Sequence, residues 1–166
     1  MGKKLVIDLD ICRDSGNYDL QCSYSPHNTN QGIIRLRELA TYELVCRRCE
    51  ERSCVLACPV EALEANEDGI LSRHNLRCVG CQSCLHACPF GTLLDEVIAF
   101  TLSGCDMCPQ LQAGEPPVCV TSCSNSAVSF EEIPDPLPKD MYLMGDRFAV
   151  RSKHWQRIED EVVPQA

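Results

Sequence analysis

Cys78-Val79-Gly80-Cys81-Gln82-Ser83-Cys84-Leu85-His86-Ala87-Cys88-Pro89 is a C-x2-C-x2-C-x3-C-P run, the ligand spacing of a [4Fe–4S] cluster. Three cysteines three residues apart, on a loop entering a helical turn, point their sulfurs at three corners of one cubane. The fourth lies past that turn, faces away, and serves the other cluster of a two-cluster pair. Pro89 ends the turn, since it has no N–H and disfavours a helical residue before it. A zinc site would need two C-x2-C halves and no third cysteine at this spacing.

Fourteen cysteines stand in the 166 residues. Such density marks either a secreted disulfide protein or an intracellular metal protein. The apolar run Leu5-Val6-Ile7 stops at Asp8, too short for a signal peptide, and no stretch approaches transmembrane length. Val6 stands where a myristoylation motif needs Ser or Thr. The expectation is a cytoplasmic chain with reduced thiols, not inserted in a membrane. The formal charge of −9, made more negative by thiolate-bound clusters, excludes a nucleic-acid partner, which needs a basic face. Aromatics are 5% of the chain, so clusters are expected to act as the centre of a small core.

In chain order, Lys3 to Leu9 alternates as a strand. Cys12 and Cys22 then occupy the first and last positions of a C-x2-C-x2-C-x3-C template whose middle positions hold Ser15 and Tyr18. Neither is a good replacement for a thiolate on iron. Gln31 to Leu39 reads as a half-exposed strand. Cys46-x2-Cys49-x4-Cys54-x3-Cys58-Pro59 is a second intact motif. Ala62 to Ser72 suggests a hairpin turning at Asn66-Glu67-Asp68-Gly69, and Thr92 to Leu94 with Val97 to Leu102 a further short hairpin. A last motif has the halves Cys105-x2-Cys108 and Cys119-x3-Cys123 separated by ten residues, with Ser124 where Pro59 and Pro89 stand in the others. Val128 to Glu132 reads as a strand. Pro134-Asp135-Pro136-Leu137-Pro138 opens a tail in which Gly145 to Arg151 suggests one more strand.

This order of motifs, with x4 in the second and a widened loop in the last, resembles the four-cluster ferredoxin-type electron-transfer subunits of molybdenum and tungsten oxidoreductases. The resemblance covers about residues 3 to 133. It implies an α+β fold of two ferredoxin-like modules, short hairpins and helices around clusters, plus an extended C-terminal tail. The inner module, about 42–102, would be inserted in an outer module of 1–41 plus 103–133. Residues 134–166 would be a tail contacting a partner through Met141, Tyr142, Leu143, Phe148 and Trp155.

The crossed ligation of that family implies three [4Fe–4S] clusters. Cys46, Cys49, Cys54 and Cys88 would hold the first. Cys78, Cys81, Cys84 and Cys58 would hold the second, and Cys105, Cys108, Cys119 and Cys22 the third. Cys12 and Cys123 are orphans of a fourth site, expected to lie close together. A three-cluster version is most similar to the small subunit of tungsten-dependent class II benzoyl-CoA reductase, of anaerobic aromatic degradation. The related subunit of tungsten aldehyde oxidoreductases resembles it too, with four clusters expected there. Electrons would pass to or from a catalytic subunit, with further electron-transfer subunits or a ferredoxin as other partners.

The same residues admit other readings. Zinc ribbons use C-x2-C pairs but do not explain the third cysteine at x2 or the x3-C-P ends. A redox sensor would need a DNA-binding element, which the sequence does not display. A diffusible polyferredoxin is the competitor, though usually shorter and without such a tail. His86 is expected to cover a cluster rather than ligate it; His27, His74 and His154 are expected on the surface. No nucleophile–base pair, phosphate-binding glycine loop or flavin fingerprint is present, so the chain is expected to catalyse no bond-making step itself.

Overall fold

The computed structural model of the chain describes residues 3–15, 20–22, 30–96, 98, 103–109, 111, 114–146 and 148–156. Its elements are β1 (Lys4–Asp8), α1 (Leu9–Ser15), α2 (Gly32–Ala40), a π-helical turn (Thr41–Val45), α3 (Ser53–Leu56), β2 (Leu63–Ala65), β3 (Leu71–Arg73), α4 (Ser83–Ala87), α5 (Val118–Thr121), β4 (Val128–Glu131), β5 (Met141–Met144) and β6 (Phe148–Arg151). They divide into two compact units, Met1–Ile33 with Cys105–Ala166, and Ile34–Gly104.

The first unit is built on a four-stranded sheet of order β4-β1-β6-β5. β1 runs antiparallel to β4, with Leu5 opposite Phe130 and Ile7 opposite Val128, and parallel to β6, with Val6 opposite Ala149. Leu5, Val6 and Ile7 are all buried, as are Phe148, Ala149 and Val150. Both faces of these central strands are therefore covered, which is why they read as continuous apolar runs rather than clean alternation.

This sheet corrects the expectation of an extended tail. Met141, Tyr142 and Phe148 are core residues of β5 and β6, and β6 sits beside β1 rather than outside it. A strand of β-branched and aromatic residues buries more apolar surface in a sheet than in a free segment. Among the five expected anchors only Leu143 is exposed to any extent on a strand. Trp155 packs under Arg13, whose guanidinium lies 5.7 Å from the ring centre. Asp10 of α1 accepts from the Lys153 N–H at 2.7 Å, tying the segment after β6 to α1.

The stretch Gln31 to Leu39, expected as a strand, is instead the helix α2 from Gly32 onward, most of it in the second unit. Ile33, Leu36, Ala40 and Leu44 are buried at helical spacing, and Leu-Arg-Glu-Leu-Ala is a run of strong helix formers. Period-two alternation of Ile34 and Leu36 was the misleading feature. β2 and β3 form the expected hairpin, Leu63 opposite Arg73 and Ala65 opposite Leu71. Gly69 closes it with φ +77°, and a Cβ there would meet the Arg52 guanidinium at 3.1 Å. Thr92–Leu94 is irregular rather than a strand; Val97 and residues 99–102 lie outside the described residues. One buried apolar cluster of this unit is Tyr42, Leu63, Leu71, Leu93 and Ile98, with Cys46, Cys54, Cys58, Cys84 and Cys88 packed against it.

Candidate metal centres

Three cysteine motifs share one backbone design. The residue before the second cysteine is left-handed in each: Arg48 (φ 49°), Gly80 (φ 67°) and Met107 (φ 63°). The third cysteine, Cys54, Cys84 or Cys119, lies at the second position of a short helix, α3, α4 or α5. The fourth cysteine ends that helix, its N–H donating to a carbonyl three residues back: Cys58 to Val55, Cys88 to Leu85 and Cys123 to Val120. Three residues on, the chain is left-handed again, at Glu61 (φ 49°), Gly91 (φ 61°) and Ser126 (φ 58°). The last motif keeps this design despite its ten-residue loop and Ser124. Left-handed backbone at Arg48 and Met107 costs a side-chain-bearing residue about 1 kcal/mol each, so the turns are held for a reason other than local preference. Gly80 was the sequence signal for this turn; its equivalents at 48 and 107 carry none.

In the second unit, Cys46, Cys49, Cys54 and Cys88 line one cleft with about 380 Å³ of space, part of it open to solvent. Arg47, Arg48 and Arg52 line it too, with Pro89 and Phe90. Burial pushes the Cys54 thiol up to about 11, and the neighbouring Cys46 and Cys88 add to the shift. Cys46 is raised by burial and by Cys49 and Cys88. Cys88 runs the other way: burial is outweighed by hydrogen bonds from Thr92 and nearby backbone.

Beside this cleft, Cys84 is raised by burial and by its charge neighbours Cys78 and Cys58. The Cys58 sulfur accepts the Ala62 N–H at 3.2 Å. Cys81 is exposed and contacts Ser83 at 3.4 Å. In the first unit, burial pushes Cys119 up to about 12, with Cys105, Cys108 and Cys22 as its charge neighbours. The Cys22 sulfur accepts from Asn30 Nδ2 at 3.3 Å. Thiols that raise one another this way ionise together only around a compensating cation. Among the described residues no three His, Cys, Asp or Glu converge tightly enough for one metal ion. An all-thiolate donor set suits a thiolate-ligated polynuclear group.

The second unit also holds a buried ion network. Glu38 is fully buried on α2 and takes both arms of the Arg73 guanidinium, Arg35 at 2.6 Å and the Tyr42 hydroxyl at 2.7 Å. Burial alone would raise its carboxyl, but Arg73 and Arg35 outweigh that and hold it below the usual range. No feature of the local sequence marks Glu38 and Arg73 as partners, since they are separated by 35 residues.

Cys12 is buried on α1, and the Cys123 thiol donates to Asn125 Oδ1 at 3.0 Å. Both flank the same end of the β1–β4 pair, whose register sets Ile7 against Val128. None of the fourteen cysteines is in a disulfide. Ser15 ends α1, while Tyr18 and His27 lie outside the described residues. His86 is exposed on α4. His74 pairs with Glu64 at 2.9 Å and His154 with Asp10 at 2.7 Å.

Known proteins are similar to this chain in sequence. A polysulfide reductase polypeptide of Wolinella succinogenes is 36% identical over 110 residues, 65% of this chain and 58% of that protein. A tetrathionate reductase subunit of Salmonella typhimurium is 40% identical over 147 residues, 80% of this chain and 58% of that protein. A putative electron transport protein of Escherichia coli, YsaA, is 28% identical over 149 residues, 80% of this chain and 92% of that protein. The chain thus spans rather more than half the length of the two reductase polypeptides. Residues 38–133 match the 4Fe-4S dicluster domain; with more than half its length in that match, the chain belongs to the 4Fe-4S dicluster domain family.

Proposed function

We propose that the chain is an electron-transfer subunit, relaying single electrons through three [4Fe–4S] clusters to or from a molybdenum or tungsten catalytic subunit. The ligand sets in this reading are Cys46, Cys49, Cys54 and Cys88; Cys78, Cys81, Cys84 and Cys58; and Cys105, Cys108, Cys119 and Cys22. What carries it is the grouping of thiols. Four cysteines from two motifs line one cleft, and Cys119 gathers Cys105, Cys108 and Cys22 around itself. Each bound cluster would supply one-electron redox chemistry at low potential. The protein's part is to hold the thiolates, shield them from water and place hydrogen-bond donors against sulfur.

The relatives support a catalytic partner. Two of the proteins matched are named as parts of polysulfide and tetrathionate reductases, which favours a reductase as the catalytic subunit. The narrower reading, the small subunit of tungsten-dependent benzoyl-CoA reductase, rests on Ser15 and Tyr18 standing where a fourth cluster would need cysteines. Among the described residues no helix is long and apolar enough to cross a membrane. A reducing, cytoplasmic setting suits thiolate ligands. Leu143 and Leu137, left exposed near the β5 edge, remain available to a partner.

Anaerobic co-purification with metal analysis tests the subunit reading. The expected result is a complex carrying molybdenum or tungsten alongside iron; tungsten with benzoyl-CoA-dependent reoxidation would select the narrower assignment. An iron-loaded chain that purifies without either metal would make it a diffusible polyferredoxin and overturn the proposal.

A further inference from the structure

The cleft lined by Cys46, Cys49, Cys54 and Cys88 is also lined by Arg47, Arg48 and Arg52. Arg47 is exposed, and Arg48 Nη2 donates to the Glu43 carbonyl at 3.2 Å. Arg52 Nε is buried and makes no hydrogen bond among the described residues. Shape holds this side chain in place. Gly69, at the β2–β3 turn, lines the same cleft, and a Cβ there would stand 3.1 Å from Arg52 Nη2. The bare glycine thus leaves the room that the guanidinium occupies. Asn66 fixes that turn, its carbonyl accepting from the Gly69 N–H at 3.0 Å and its side-chain oxygen from the Ile70 N–H at 2.8 Å. A buried cationic N–H without an acceptor is costly. Kept at the wall of a thiol-lined cleft, it points to an anionic group held there.

The position is particular to this motif. Arg52 stands immediately before α3, where Gln82 stands before α4 and Pro117 before α5. The four residues between Cys49 and Cys54 are two more than lie between Cys81 and Cys84. Gln82 is left-handed at φ 60°, whereas Arg52 has φ −86°. Arg48, just before the second cysteine, corresponds to Gly80 and Met107. Of the three motifs, only this one carries cations at these two places. Glu50 and Glu51 between them are exposed, so water and salt screen their charges. A thiolate-ligated cluster becomes more negative on reduction. A cation beside it stabilises the reduced state more than the oxidised one and raises the potential, the more so where water is excluded.

We propose that Arg52 sets the potential of the cluster held by Cys46, Cys49, Cys54 and Cys88: seated against Gly69, its positive charge raises that cluster's midpoint. This rests on the ligand sets proposed above.

The test is an EPR-monitored redox titration of the anaerobically reconstituted full chain, with iron and sulfide analysis of each sample. Cys49→Ala identifies, by its loss, the signal of the cluster in this cleft. Wild type is then compared with Arg52→Gln, Arg52→Met and Arg52→Lys. Both neutral variants are expected to move that cluster to lower potential, by more than they move either of the others. Arg52→Lys keeps the charge on a different head group and is expected to stay nearer wild type than either. Should one neutral variant lose iron, the other decides. Iron-complete neutral variants that titrate like wild type would overturn this inference and leave the ligand sets standing. Loss of iron from both would also overturn it, since the role would then be structural. Undiminished iron in Cys49→Ala would overturn the ligand sets and this inference with them.

Discussion

Stripping iron and sulfide from the holo-chain with a chelator and an oxidant is expected to unfold the unit Ile34–Gly104. One cluster of its buried apolar core is Tyr42, Leu63, Leu71, Leu93 and Ile98. The cysteines packed against that core are the very groups a cluster would join. Beyond α2 and the π-helical turn, its elements are short: β2 and β3 are three residues each, and α3 and α4 only four and five. Helices of that length do not persist in water without tertiary anchors. Metal binding to such a site is folding free energy, on the order of 10 kcal/mol or more for thiolate metal sites. The other unit contains the four-stranded sheet around Leu5, Val6, Ile7 and Phe148–Val150 and should keep more of its structure. Hydrogen exchange read by mass spectrometry checks this. Peptides within 46–96 should lose protection on cluster removal, and those of β1 and β6 should lose much less. Equal protection before and after would show that the inner unit is held by its apolar core alone.

Replacing Cys22 is expected to remove one cluster, and replacing Cys12 none. Both residues belong to the same depleted motif, so the sequence position does not separate them; their surroundings do. Cys22 is a charge neighbour of Cys119, with Cys105 and Cys108 in the same group, and its sulfur already has an amide donor in Asn30. Cys12 is 1% exposed on α1. Cys22→Ala should therefore cost about four iron atoms per chain. Cys12→Ala should leave iron unchanged and lower stability by about 1 kcal/mol, the cost of a small cavity. Metal analysis with a thermal melt of both variants separates the two roles. Iron lost with Cys12→Ala and retained with Cys22→Ala would mean that the crossed assignment is wrong.

Much of the centre was legible because cluster ligation imposes fixed spacing. The spacing in Cys78 to Pro89 and Cys46 to Pro59 announces their short helices, and the Asn66–Gly69 turn fixes the hairpin between them. The last motif was legible only in halves, since its loop hides the equivalence of Cys119 with Cys54 and Cys84 that α5 makes plain. Two things did not show. Gln31 to Leu39 alternates over a few residues by accident, and a helix was the better use of Ile33, Leu36 and Ala40 once Glu38 could pair with Arg73 across the fold. The proline run at 134–138 suggested a departing chain, but β6 lies next to β1, a long-range pairing that no local pattern encodes. Arg48 and Met107 adopt the left-handed turn that only Gly80 advertises.

The central claim is that this chain carries three [4Fe–4S] clusters on the cysteine sets named above. The most direct measurement is iron and acid-labile sulfide per chain after anaerobic reconstitution, joined to the EPR spectrum of the dithionite-reduced protein. The expected result is about twelve iron and about twelve sulfide per chain, with spectra of interacting reduced [4Fe–4S] clusters. About eight iron, or zinc in place of iron, would contradict it.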